Sequence, residues 1–135
     1  MQEILTPKDY VEIDSLDKPR HATEEEVQCA LMDWCRFNPP LLELVIHIPN
    51  QGKRSKSYGA KLKKMGLRVG ASDLFIMRAC RGYHGAFIEL KSARGIVSPA
   101  QKEFLRIAER EKYFTAVCSS IEDCIETVIW YMGIG

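Results

Sequence analysis

The chain has 135 residues, 46% hydrophobic and 27% charged, and its 19 basic and 18 acidic residues leave a formal charge of +1. That length and mix fit one folded domain and exclude a disordered chain. A charge so near zero says nothing about partners, and no apolar run approaches the ~20 residues that cross a bilayer, so no membrane role is expected.

The opening residues Met1 to Leu5 lack a basic region followed by an apolar core, so no signal peptide is expected. Residues 1–21 read as an extended N-terminal tail. Asp9, Glu12, Asp14 and Asp17 are flanked there by Pro7 and Pro19, without periodicity. Residues 22–135 read as one domain. Five cysteines with no CxxC pair point to a reduced, cytoplasmic protein. Cys80 and His84 have helix-like spacing, but they fall in a glycine-flanked turn with no second pair, so no zinc site is expected. Nothing in the chain calls for an organic cofactor.

Within the domain, Thr23 and Glu26 form a T-x-x-E capping box. Val27, Ala30, Leu31, Trp34 and Phe37 follow at helical spacing, predicting a helix over 23–37. Asn38-Pro39-Pro40 reads as its stop, and Leu41 to Ile48 as a strand closed by Pro49-Asn50-Gln51-Gly52. A short helix is predicted from Ser57 to Lys64, ending at Gly66. Asp73–Met77 and Ala86–Lys91 read as a hairpin whose turn holds Arg81-Gly82-Tyr83-His84-Gly85. Ser98, Pro99 and Gln101 open a helix running to Lys112, with an S-x-x-Q box and proline at its first position. Phe114–Cys118 is a last strand and Ile121–Tyr131 a last helix. The order α-β-α-β-β-α-β-α predicts an α/β domain, a mixed sheet flanked by helices. The apolar Val128–Met132 segment suits the core better than an interface.

The chemistry concentrates in the hairpin. Ile88 and Leu90 point to one side of their strand, Glu89 and Lys91 to the other, the two charges about 7 Å apart by the strand rise. Asp73, at the head of the neighbouring strand, can reach the same end of the sheet. Two converging carboxylates repel each other unless a cation sits between them, and a hard divalent ion with oxygen ligands answers that problem. The plainer reading is a Glu–Lys pair on a solvated strand face. Lys53, Arg54, Lys56, Lys61, Lys63, Lys64 and Arg68 lie upstream with no acid between them, and lead directly into Gly70-Ala71-Ser72-Asp73. That run concentrates positive potential beside the carboxylates, where phosphates are attracted. A solvated helix face explains the same run without a ligand.

The segments Gly70-Ala71-Ser72-Asp73-Leu74-Phe75, Phe87-Ile88-Glu89-Leu90-Lys91-Ser92 and Ser98-Pro99-Ala100-Gln101 resemble the VRR-NUC family of the PD-(D/E)XK nuclease superfamily. The likeness is greatest to stand-alone phage and prophage members and spans about Ala22 to Gly133. Glu89-Leu90-Lys91 matches the E-x-K half-motif, and Asp73 the family's aspartate, with Ser72 where the usual pattern has proline. The resemblance implies a restriction-endonuclease-like fold and a Mg²⁺- or Mn²⁺-dependent DNA endonuclease. Asp73, Glu89 and the Leu90 backbone carbonyl would be its metal ligands and Lys91 its catalytic lysine. It implies further that Asn50 and Arg54 line the substrate groove, with Lys53, Lys56, Lys61, Lys64 and Arg68 in the DNA-binding stretch. A glutamate of the first helix is also implied. Of Glu24, Glu25 and Glu26, the chosen residue is Glu24, four residues before Gln28 and near the inward face. Gln101 has two readings, helix cap and site residue. Branched DNA such as flaps or four-way junctions is the implied substrate, and a homodimer would set two active sites on two strands. Two alternatives stay open: a nucleic-acid-binding module with an inactive nuclease fold, and an assembly partner that binds protein through its basic stretch.

Overall fold

The structure, a computed structural model, describes residues 22–49 and 56–134. The tail expected over 1–21 lies outside them, as do Asn50, Lys53 and Arg54.

Helix α1 (Glu24–Arg36) begins with the expected capping box: the Thr23 hydroxyl accepts from Glu26 N–H, and the Glu26 carboxylate accepts from Thr23 N–H. Its stripe of Val27, Leu31, Trp34 and Cys35 is buried. The chain then departs from expectation. Pro39–Leu42 forms a helical turn, α2, and strand β1 is only Val45–His47. Proline ends a helix that precedes it, but its fixed φ also suits the first turn of a new one. Asn38 takes an extended φ of −129° between the two helices, and its side chain donates to the Trp34 carbonyl. Buried Leu41 belongs to that turn, not to a strand.

Helix α3 (Lys56–Lys64) buries none of its residues. Strands β2 (Leu74–Ile76) and β3 (Ala86–Leu90) pair antiparallel. The connection between them carries a tight turn in which Cys80 and Tyr83 exchange both backbone hydrogen bonds around Arg81 and Gly82, each with positive φ. Arg81 is held in that unusual conformation by its side chain, which donates to the Trp130 carbonyl at 2.7 Å and lies over the Trp130 ring. Helix α4 (Pro99–Arg110) crosses back to β4 (Phe114–Cys118), which pairs parallel to β3, and α5 (Ile121–Met132) closes the fold. The sheet order is β1-β2-β3-β4, mixed as expected.

The two faces of the sheet are packed differently. Leu74, Ile76, Ala86, Ile88 and Leu90 join the α1 stripe and Cys124, Ile125, Val128 and Tyr131 of α5 in one buried cluster. The C-terminal apolar segment is thus mainly core, with Trp130 half-exposed. On the opposite face Phe87 touches Phe75, Tyr113 and Phe104 of α4. Glu89 and Lys91 continue that second face, at the end where the aromatic packing stops. Among the described residues no helix is long and apolar enough to cross a membrane.

Candidate active site

Pairing of Leu74 with Ile88 sets Asp73 opposite Glu89 at the next position along the ladder. Asp73 is 3% exposed and Glu89 fully buried. Asp73 is held from several sides. Its Oδ2 accepts from Leu90 N–H at 2.7 Å. Its backbone carbonyl accepts from Ile48 N–H at 2.7 Å and from the His47 ring Nδ1–H at 3.2 Å. The end of β1 thereby clamps the head of β2.

Glu89 is less well provided for. Oε1 accepts from Gln101 Nε2 at 2.8 Å, while Oε2 is buried without a hydrogen-bond partner. Burial, then the facing Asp73 carboxylate, push the Glu89 carboxyl up to about 8, and Lys91 only partly offsets them. Lys91 Nζ stands 3.7 Å from Glu89 Oε1 and 3.9 Å from Glu24 Oε1. Glu24 is therefore the glutamate of its triplet that meets the lysine. Glu25 is exposed, and Glu26 closes the helix cap. Gln101 contacts both the helix cap and Glu89. Its Oε1 accepts from Ser98 N–H at 2.8 Å while its Nε2 holds Glu89.

The structure thus brings Asp73, just before β2, Glu89 of β3, Lys91, just after β3, Glu24 of α1 and Gln101 of α4 to one end of the sheet. The described basic residues are placed differently. Lys56, Lys61 and Lys64 lie exposed on α3, and Arg68 is exposed with its guanidinium 6.0 Å from the Phe104 ring centre. Three features of the site left no mark in the sequence. The Leu90 contact seen here is made by its N–H, whereas only its carbonyl was assigned a role. His47, at the end of β1, reaches the Asp73 carbonyl. The Ser72 hydroxyl is buried without a hydrogen-bond partner. Each depends on strand register, which residue spacing does not reveal.

The donor chemistry suits a hard divalent cation. Two carboxylates face each other in a buried setting, and one of their oxygens has no donor to satisfy it. Among the described residues no group of three or more His, Cys, Asp or Glu side chains is gathered at metal-holding spacing. The carboxylate pair, with waters and backbone carbonyls, is then the donor set on offer.

A profile of the VRR-NUC domain matches residues 9–122. A solved structure described as a "VRR_NUC domain protein" superimposes with a TM-score of 0.75 at 32% identity, over 86% of this chain and 93% of that one. No curated protein matches. The mixed four-stranded sheet with flanking helices is a nuclease-type fold, and the chain belongs to the VRR-NUC family.

Proposed function

We propose that this chain is a divalent-metal-dependent DNA endonuclease. The observation that carries the reading is the buried Asp73–Glu89 pair, opposite one another in register, with Lys91 Nζ 3.7 Å from Glu89. Asp73, Glu89 and the Leu90 carbonyl would hold Mg²⁺ or Mn²⁺, which when bound acts as a Lewis acid on the scissile phosphate and acidifies water. Lys91, its charge shared between Glu89 and Glu24, orients the attacking water and stabilises charge building on the phosphate. Glu24 keeps that ammonium over the site and positions water there. Gln101 fixes the Glu89 carboxylate in one orientation.

Asn50, Lys53, Arg54, Lys56, Lys61, Lys64 and Arg68 would grip the DNA backbone. Among the described residues no element is given over to reading bases, so recognition rests on backbone and shape. Branched DNA, such as flaps or four-way junctions, is the proposed substrate, and a homodimer would apply two sites to two strands. A role in phage or prophage DNA replication, recombination or repair accords with this activity.

The test is cleavage of labelled duplex, single-stranded, flap and four-way-junction DNA in Mg²⁺, Mn²⁺ or EDTA. Metal-dependent cutting is expected, and it is lost in Asp73→Ala, Glu89→Ala and Lys91→Ala while DNA binding persists. Full cleavage by any of the three overturns the site assignment. Tight binding without cutting in any lane points instead to a DNA-binding module. Replacing Lys61 and Lys64 with alanine should reduce the salt dependence of binding by roughly one to two units of log K against log salt.

A further inference from the structure

The two carboxylates reach the site on different segments, and both segments rest on the same helical turn. On the Glu89 side the contact runs through Gln101. Its Oε1 accepts from Ser98 N–H at 2.8 Å, its Nε2 donates to Glu89 Oε1 at 2.8 Å, and its own N–H donates to the Ser98 hydroxyl at 3.2 Å. A side-chain amide has one oxygen and one NH₂, and either can face either way. The Ser98 N–H can only donate, so the cap claims the amide oxygen. The NH₂ is thereby turned toward Glu89. With the cap loosened, the amide is free to rotate, and its oxygen would face a carboxylate oxygen.

On the Asp73 side the contact runs through Gly70, three residues upstream. Gly70 has φ +86°, and a Cβ built there would fall 2.4 Å from both the Ala100 carbon and its carbonyl oxygen, and 2.8 Å from Gln101 N. All three are backbone atoms of the first turn of α4 and cannot swing aside. Only glycine lets the loop leading to Asp73 seat so closely.

Resting on the nuclease reading above, we propose that the first turn of α4 sets the spacing of the Asp73 and Glu89 carboxylates, with Ser98 and Gly70 as its positioning residues. Ser98 acts on the site only through Gln101, and Gly70 only through the loop it seats. Strand pairing places the two residues opposite each other. The helix turn then decides how their side chains are presented to a cation.

The experiment is a Mn²⁺ titration of the purified chain without DNA, followed by loss of the free-ion EPR signal, beside thermal unfolding of each variant. The control is Ser120→Ala, which removes the hydroxyl that caps α5 by accepting from Asp123 N–H at 3.1 Å. Ser98→Ala should weaken Mn²⁺ binding roughly three- to tenfold, less than loss of a direct outer-shell partner. Ser98→Thr, which keeps the capping hydroxyl, should restore it. Ser120→Ala should lower the melting temperature by a similar amount and leave Mn²⁺ affinity unchanged. Gly70→Ala should weaken binding further, and is read only where unfolding stays cooperative. Unchanged affinity in Ser98→Ala, or no recovery in Ser98→Thr, overturns the proposal while leaving the nuclease reading intact. A wild-type chain that takes up no Mn²⁺ overturns both.

Discussion

The caps of α1 and α4 are built alike and do different work. In each, a hydroxyl accepts the third-residue N–H at 3.2 Å, and the third side chain accepts the cap N–H in return. In α1 that third residue is Glu26, whose carboxylate offers only acceptors. In α4 it is Gln101, whose amide has an NH₂ left over, and that group holds Glu89. Either residue closes a capping box. Only the amide can close one and support a buried carboxylate at the same time. One atom, nitrogen in place of oxygen, separates a helix start from part of a site.

The most drastic way to break this contrast is to remove what the α4 cap supports. Glu89→Ala should reduce cleavage to the background of a gel assay and leave both helices in place by circular dichroism. A sharper cut is Gln101→Glu. It keeps a capping residue but faces Glu89 with a second acceptor, so cleavage should fall roughly 10–100-fold, as for other outer-shell partners. The matching change in α1, Glu26→Gln, should leave cleavage unaltered. Equal losses in the two variants would erase the distinction.

The burial of Glu89 gives a third test, in metal-free protein. Its carboxyl is raised from 4.5 to about 8. The folded chain therefore keeps a proton there that the unfolded chain has released, and folding weakens as pH rises between those values. The penalty is absent below the lower value and complete above the upper. Metal-free wild type should lose melting temperature from about pH 5 to about pH 8, and Glu89→Gln should lose much less. Identical pH profiles would show that Glu89 is not held neutral by its surroundings. The smallest effect belongs to α1. Thr23→Ala should cost about 1 kcal/mol in denaturant unfolding, the ordinary value of an exposed cap.

Much of the fold was legible because it follows local rules. Both capping boxes, the strand Phe114–Cys118 and the helix ends came within a residue or two of expectation, since hydroxyl–acid spacing, proline at a first turn and apolar periodicity act over a few neighbours. The Asn38-Pro39-Pro40 run shows where such rules are ambiguous. Proline ends one helix and starts the next with equal ease, and this run lies between the end of one and the start of the other. At the site, the residue types carried the signal: an acid two residues before a lysine in an apolar strand, and an acid at the head of its neighbour. Their mutual geometry did not.

By itself, then, the sequence determined the elements and their order apart from the Pro39–Leu42 turn, and the presence of charges in a strand too apolar to bear them unaided. The tertiary structure decided which charges meet. Of three adjacent glutamates, it set Glu24 3.9 Å from Lys91 Nζ. It gave Gln101 two duties at once and set Gly70 against the backbone of α4. The physical reason is range. Caps and periodicity are fixed by residues three or four apart, whereas the site is fixed by strand register and helix docking between segments up to 67 residues apart, from Glu24 to Lys91.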